Sequence, residues 1–332
     1  MSANSVVPIV LMTAAATWAQ TPSEWQDPSP HHIQFVSVQE NVKLEVLDWG
    51  GSGRAVIFLP GLGNTAHVFD DFAPKLTGAF HVYGITRRGF GASSAPESGY
   101  DADRLGDDVL AVIDVLKISK PVLAGHSLGG EELSSVGTRH PEKVSGLIYL
   151  DAGYSYAFDN GKGMTTEAQN EAMKNPPPPG PLPLAADRAS FAAFRDWNDR
   201  TNGTHLPESE VRQLFTARPD GGVGFPRARP KVSQDIFSGF RKYTEIRAPI
   251  LAIFAIPHSD PPWLTTAKDD VREKTQAFNQ KFGTLAEKQV RAFEQGLPDA
   301  HVVRIPNAHH YVFMTNEADV LRELRAFIAR IK

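Results

Sequence analysis

One serine in the chain is framed as a nucleophile. Ser127 lies in Gly125-His126-Ser127-Leu128-Gly129, with Gly130 following. The apolar run Val122–Ala124 precedes it, and an amphipathic stretch, Leu128–His140, comes after it. That strand–turn–helix order is what a G-x-S-x-G elbow needs. The turn forces the serine backbone into a strained conformation, while the glycines leave room for close helix–strand packing. The hydroxyl then stands at a helix N-terminus, where backbone amides face developing negative charge. Such a serine can perform acyl transfer once a histidine base and a carboxylate to orient it are brought alongside.

Composition excludes the competing chemistries. With no Cys in 332 residues there is no thiolate nucleophile, no disulfide framework and no Cys-ligated zinc or iron–sulfur site. A net charge of −4 gives no general reason to bind a phosphate backbone, so no nucleic-acid partner is expected. Hydrophobic residues at 41% and charged residues at 22% fit a globular chain with a sizeable core.

The N-terminus carries an uncharged apolar run, residues 6–16, far shorter than the ~20 residues of a membrane span. Small residues come next, and cleavage after Ala19 would put Thr17 at −3. Residues 1–19 therefore resemble a secretory signal peptide, although the first five residues lack Lys and Arg. Export to the periplasm or medium is the expectation, and a cytoplasmic location applies if the run is not a signal. Residues 20–34, polar and rich in Pro, are expected to be a disordered start.

Regular elements elsewhere in the chain must position the serine. Phe35–Val38 and Lys43–Asp48 alternate as an antiparallel hairpin does. Ala55–Leu59, Val82–Ile85, Val122–Ala124, Val144–Leu150, Ile250–Ile256 and His301–Ile305 read as buried strands. Between them, Asp101–Leu116 and Asn316–Ile331 each carry one apolar stripe. Eight strands alternating with helices predict an α/β fold, a mostly parallel sheet covered on both faces. The core occupies residues 35–154 and 246–332. Residues 155–245 break the rhythm and are too long for an unstructured loop, so they read as an inserted, mainly helical cap. A shorter insertion, Pro261–Gly296, reads as one long helix over Asp270–Gln295.

These features resemble the α/β-hydrolase superfamily over most of residues 35–332. Leu59-Pro60-Gly61-Leu62-Gly63 stands where that family has its H-G-x-G oxyanion loop, with Pro60 in place of the histidine. Thr86-Arg87-Arg88-Gly89-Phe90-Gly91-Ala92-Ser93 is similar to the D-x-R-G-x-G-x-S turn, and His140-Pro141-Glu142-Lys143-Val144 to the P-x-x-V link. The resemblance implies an oxyanion hole from the Leu62 and Leu128 amides, and the chain order serine, acid, histidine. Of the adjacent pair His309 and His310, Tyr311 makes His310 the better match for the base. The acid has two candidates. Asp151 ends the sixth strand, where some family members carry their acid. Asp260 lies two residues beyond the usual place after the seventh strand, which His258 occupies here. Asp151 is preferred, and Asp260 stays open as the alternative.

Together these residues imply a serine hydrolase acting on a small-molecule carboxylic ester, with no cofactor and no metal. Lactone, amide or carbon–carbon bond hydrolysis and perhydrolase chemistry use the same set, and a non-catalytic receptor uses the same fold. Gly61, His126 and Trp197 are the expected substrate contacts. Trp197 belongs to a group of aromatics (Tyr154, Tyr156, Phe158, Phe191, Phe194) that either line a pocket or form the cap's own core.

Overall fold

A computed structural model of the chain describes residues 25–331. The expected signal peptide lies outside the described residues. In chain order the core begins with β1 (His32–Gln39), β2 (Val42–Gly50), β3 (Ala55–Leu59) and β4 (His81–Ile85). It continues through α1 (Ala102–Val115), β5 (Val122–His126), α2 (Gly129–Arg139) and β6 (Gly146–Leu150). The segment between β6 and the next core strand holds α3 (Thr166–Met173), α4 (Phe191–Asn202), α5 (Glu208–Leu214), β7 (Phe215–Ala217), β8 (Val223–Pro226) and α6 (Pro230–Ser238). The core resumes with β9 (Ile250–Ala255), α7 (Asp269–Gly296), β10 (His301–Ile305), a short α8 (Val312–Thr315) and α9 (Glu317–Arg330).

Eight strands form one sheet in the order β1-β2-β4-β3-β5-β6-β9-β10. β1 and β2 pair antiparallel, β2 meets β4 antiparallel, and the remaining pairs are parallel. Parallel strands buried on both faces send alternate side chains to two cores. Leu147 and Tyr149 of β6 go to one face, under α1, α2 and α7. Ile148 and Leu150 go to the other, under α9 and the 3-10 turns at Ala66–Phe69 and Ala73–Leu76. Helix α1 starts where Asp101 accepts from the Arg104 amide, 3.2 Å, and buries Leu105, Val109, Val112 and Ile113.

One expectation is corrected. Residues 25–34 are ordered: β1 begins at His32, His31 Nδ1 donates to Asp70 Oδ1 at 2.8 Å, and the Arg212 guanidinium lies 4.4 Å over the Trp25 ring. Polar, Pro-rich composition suggested disorder, but long-range partners hold this stretch. The inserted segment is helical yet also contains the β7–β8 hairpin, antiparallel and outside the main sheet. A small core of Phe191, Phe194, Val211 and Val223 holds the segment together.

Candidate active site

The site forms at the carboxyl ends of β3, β5, β6, β9 and β10. The strand order reverses between β3 and β5, which leaves a crevice beyond their ends. Ser127 follows β5 with φ of 49°, in the left-handed region that a non-glycine residue occupies only when its surroundings hold it there. The glycines around it are required by contact. A Cβ on Gly125 would come 2.6 Å from the Gly129 carbonyl, and one on Gly130 would come 2.1 Å from the Ala152 oxygen.

The loop after β3 comes up against this elbow. A Cβ added to Gly61 would meet His126 Nδ1 and Ser127 Cβ, each at 3.1 Å. Among the described residues, neither the Leu62 nor the Leu128 amide donates to another backbone carbonyl. An oxyanion hole requires such uncommitted N–H groups. Arg87 ties this loop to α2. Its guanidinium donates to the carbonyls of Pro60 (2.8 Å) and Gly61 (3.2 Å) while pairing with Glu132 on α2. The far end of the loop is tied to the inserted segment. Glu210 on α5 accepts from Asn64 Nδ2 at 2.8 Å and from the Thr65 amide and hydroxyl. Burial lifts the Glu210 pKa to about 7 against the pull of these bonds.

Asp151 follows β6, also with a left-handed φ, 47°. Its amide donates to Ile253 O at 2.7 Å, and its Oδ1 accepts from the Ala255 amide at 3.1 Å, so both backbone and side chain are stapled to β9. Tyr154 donates to the same Oδ1, 2.9 Å. Oδ2 receives two imidazoles: His310 Nδ1 at 2.6 Å and His258 Nε2 at 2.7 Å. Burial alone would raise the Asp151 pKa, but the bonds from His258 and His310 overcome it and hold the carboxylate below its usual range. Burial lowers the His258 pKa in turn, and the Asp151 bond and charge outweigh it, leaving a net rise. The loops after β9 and β10 bring the imidazoles together. Asn307 N donates to Pro257 O at 2.8 Å and Ser259 N to Ala308 O at 2.9 Å.

The other candidates fall elsewhere. Asp260 is solvent-exposed, accepts from Asn279 Nδ2 at 2.7 Å and makes no bond to His310. His309 accepts from the Tyr311 amide at 3.1 Å, and burial brings its pKa down to about 4. His126 is buried, not surface-facing. It donates from Nε2 to the His310 carbonyl at 3.0 Å and packs on the His310, Tyr311 and Phe313 rings. It therefore ties the His310 loop to the elbow through Nε2, while its buried Nδ1, facing Gly61, has no partner among the described residues. Trp197 packs on Phe194 at 5.2 Å against the inserted segment's own core. Tyr156 is the aromatic that comes to the serine. Burial raises its phenol pKa, the Asp151 charge adds to this, and the neighbouring Ser127 side chain opposes it. Tyr156 also packs with Leu62, Phe90, Leu128 and Phe240 in one apolar patch.

His258 and the Arg87–Glu132 pair take parts that their sequence context did not assign, whereas Tyr156 is one of the aromatics expected either to line a pocket or to form the segment's own core. His258 gave a signal, since it occupies the position where an acid was sought. Among the described residues, two groups have the donor spacing to hold a metal ion: Asp151, His258 and His310 here, and Asp27, His31, His67 and Asp70 beyond the loop after β3. No helix among the described residues is long and apolar enough to cross a membrane.

Comparison with known proteins agrees with the architecture. A family model described as "Alpha/beta hydrolase family" matches residues 56–323. The 2-(acetamidomethylene)succinate hydrolase of Mesorhizobium japonicum is 31% identical over 101 residues, 30% of this chain and 36% of that protein. The 3-oxoadipate enol-lactonase 2 of Acinetobacter baylyi is 30% identical over 118 residues, 35% of this chain and 44% of that protein. The chain thus matches less than half the length of these curated relatives. The crystal structure of an E-2-(acetamidomethylene)succinate hydrolase superposes with a TM-score of 0.61 at 21% identity, covering 90% of this chain and 99% of the other. A bromoperoxidase from Bacillus anthracis gives 0.58 at 18%, covering 90% and 100%. At such identities these structures speak for the fold alone. The chain belongs to the alpha/beta hydrolase family.

Proposed function

We propose that the chain is a serine hydrolase that cleaves small carboxylic esters through an acyl-enzyme on Ser127. The observation that carries this reading is the 2.6 Å contact between His310 Nδ1 and the buried Asp151 Oδ2, on a loop tied by His126 to the elbow that bears the serine. Asp151 fixes the His310 tautomer, so Nε2 is free to take the Ser127 proton as the hydroxyl attacks the ester carbonyl. The Leu62 and Leu128 amides stabilise the oxyanion, and the protonated His310 delivers its proton to the departing alkoxide. Water, deprotonated by the same imidazole, then attacks the acyl-enzyme, releasing the acid and restoring Ser127. The patch of Leu62, Phe90, Leu128, Tyr156 and Phe240 suits an apolar acyl group.

A second reading uses the same residues on a lactone or amide. The names of the two curated relatives, an enol-lactonase and a hydrolase of an acetamido compound, favour keeping it. The test is turnover of p-nitrophenyl acetate and butyrate beside lactone and amide panels, for wild type and Ser127→Ala. Ester hydrolysis is expected, with a loss of at least about 10⁴-fold on removing the nucleophile. Wild-type turnover that survives Ser127→Ala would overturn the mechanism. Turnover confined to lactones or amides would replace the first reading by the second.

A further inference from the structure

The second metal-ligand group lies away from Ser127 and plays no part in the acyl transfer above. It joins two short pieces of sequence. Asp27 and His31 stand four apart ahead of β1, and His67 and Asp70 three apart at the 3-10 turn after the oxyanion loop. One ligand atom from each lies within 4.8 Å of the other three. The His31, His67 and Asp70 side chains are 2%, 1% and 1% exposed, while Asp27 keeps 19% and gives the group an opening to solvent.

The separations are those of ligands around an ion. His67 Nδ1 is 3.2 Å from Asp70 Oδ2 and 3.5 Å from Asp27 Oδ2, and His31 Nε2 is 3.7 Å from Asp27 Oδ2. A charge-assisted imidazole–carboxylate bond runs at about 2.7–2.9 Å. Two donors about 2.0–2.1 Å from a tetrahedral ion sit roughly 3.3–3.4 Å apart. The remaining atoms are held in the way that orients metal ligands. Glu45 Oε1 stands 3.4 Å from His67 Nε2, which leaves Nδ1 facing the two carboxylates. His31 Nδ1 and Trp49 Nε1 donate to Asp70 Oδ1 at 2.8 and 3.0 Å, and Ser209 donates to Oδ2 at 2.5 Å. Charge points the same way. Asp27, Asp70 and Glu45 gather around two imidazoles, and among the described residues no Lys or Arg pairs with any of the three. Buried carboxylates in excess call for a cation.

We propose that Asp27, His31, His67 and Asp70 form a four-coordinate site for a divalent transition-metal ion, and that the two-nitrogen, two-oxygen donor set selects zinc. All four positions are filled by protein, so the ion is structural. It pins the segment before β1 to the turn that ends the oxyanion loop. This departs from the sequence expectation of no metal, because neither pair of ligands is conspicuous until the fold joins them.

The test uses the full chain, stripped with chelator, titrated calorimetrically with zinc chloride, and assayed for bound zinc by mass spectrometry after buffer exchange. One zinc per chain is expected at this site, raising the melting temperature by several degrees, with magnesium or calcium at the same concentration giving no shift. Asp27→Asn and His67→Gln lose that zinc and its thermal shift. Asp27 is partly exposed, so its variant carries the test if His67→Gln fails to fold. His258→Gln, which dismantles the Asp151 group, keeps the zinc. Zinc retained by Asp27→Asn, zinc lost only in His258→Gln, or no zinc bound by the wild type would each overturn the proposal. None of these outcomes bears on ester hydrolysis by Ser127.

Discussion

Two clusters of imidazole and carboxylate sit on either side of the oxyanion loop, and they treat charge in opposite ways. At the Ser127 site one carboxylate, Asp151, serves two imidazoles, His258 and His310. Beyond the loop, Asp27, Asp70 and Glu45 crowd around His31 and His67. The first cluster balances with a single proton on its imidazoles, leaves a His310 nitrogen uncommitted and keeps both rings about one-third exposed. The second turns its nitrogens inward and buries both rings almost completely. A site that must move a proton needs the first arrangement, and one that must hold two segments together needs the second.

Removing the carboxylate of the first cluster gives the largest expected effect. Asp151→Asn should lower kcat/KM by about 10⁴-fold, since His310 then loses the group that fixes its tautomer and stabilises its protonated form. Asp260→Asn should stay within twofold of wild type, because its side chain is occupied with Asn279. Steady-state ester kinetics on both variants decide the matter, and the reverse pattern would break the comparison. In the second cluster the loss should appear in folding. Asp70→Asn should destabilise the chain by about 3–5 kcal/mol in urea titration, the usual cost of unpairing a buried charge network, with kcat within threefold of wild type. A large kcat loss at unchanged stability would mean that this network, too, feeds the chemistry.

His258 tests how far the sharing of Asp151 matters. His258→Gln keeps a donor near Oδ2 but removes the imidazole. We expect kcat/KM to fall about 3- to 30-fold, with the acid limb of its pH profile moving to higher pH. Charge sets the sign. Burial lowers the His258 pKa, but the Asp151 bond and charge outweigh it, so below the raised value the wild-type site carries a positive charge that disfavours further proton uptake and the variant does not. Proton uptake by the site, and with it the loss of activity, therefore moves to higher pH. An acid limb that stays in place would reduce His258 to a packing role.

How much of this the sequence carried depends on the range of each interaction. The buried strands and the Ser127 turn are local patterns, and their boundaries agree with the structure to within a few residues. Val122–Ala124, for example, is extended only to His126. The choice between Asp151 and Asp260 was not local. Both follow apolar runs, and what separates them is that β6 lies beside β9, so that Ile253 and Ala255 can grip Asp151. Arg87 stood in view as a departure from a familiar turn, yet its task needs Glu132 on another element. Trp197 looked like a pocket ring because aromatic residues announce burial without naming the surface they bury against. Residues 25–31 failed furthest, since their partners His67 and Asp70 come from a distant part of the chain.

Glu131 offers a third treatment of a buried carboxyl and the smallest expected effect. It lies four residues after Ser127 on α2, fully buried, and among the described residues neither of its oxygens finds a partner. Burial first, and then the Glu132 charge, lift its pKa from an ordinary 4.5 to about 9, against the pull of Arg87. The folded chain therefore holds a proton that the unfolded chain releases above about pH 4.5. Its contribution to stability is full below that value and is lost as pH climbs towards 9. Glu210, raised to about 7, adds a fall of the same sign over the lower part of the window. Glu131→Gln removes the first slope and leaves the second. Both proteins should share the Glu210 decline up to about pH 7, but the variant's melting temperature should match wild type only near pH 4.5–5 and exceed it by a margin that widens steadily towards pH 9. Parallel wild-type and variant melting curves across that range would show that Glu131 is already ionised at neutral pH. Its lack of a partner would then have to be offset by bonds other than those described.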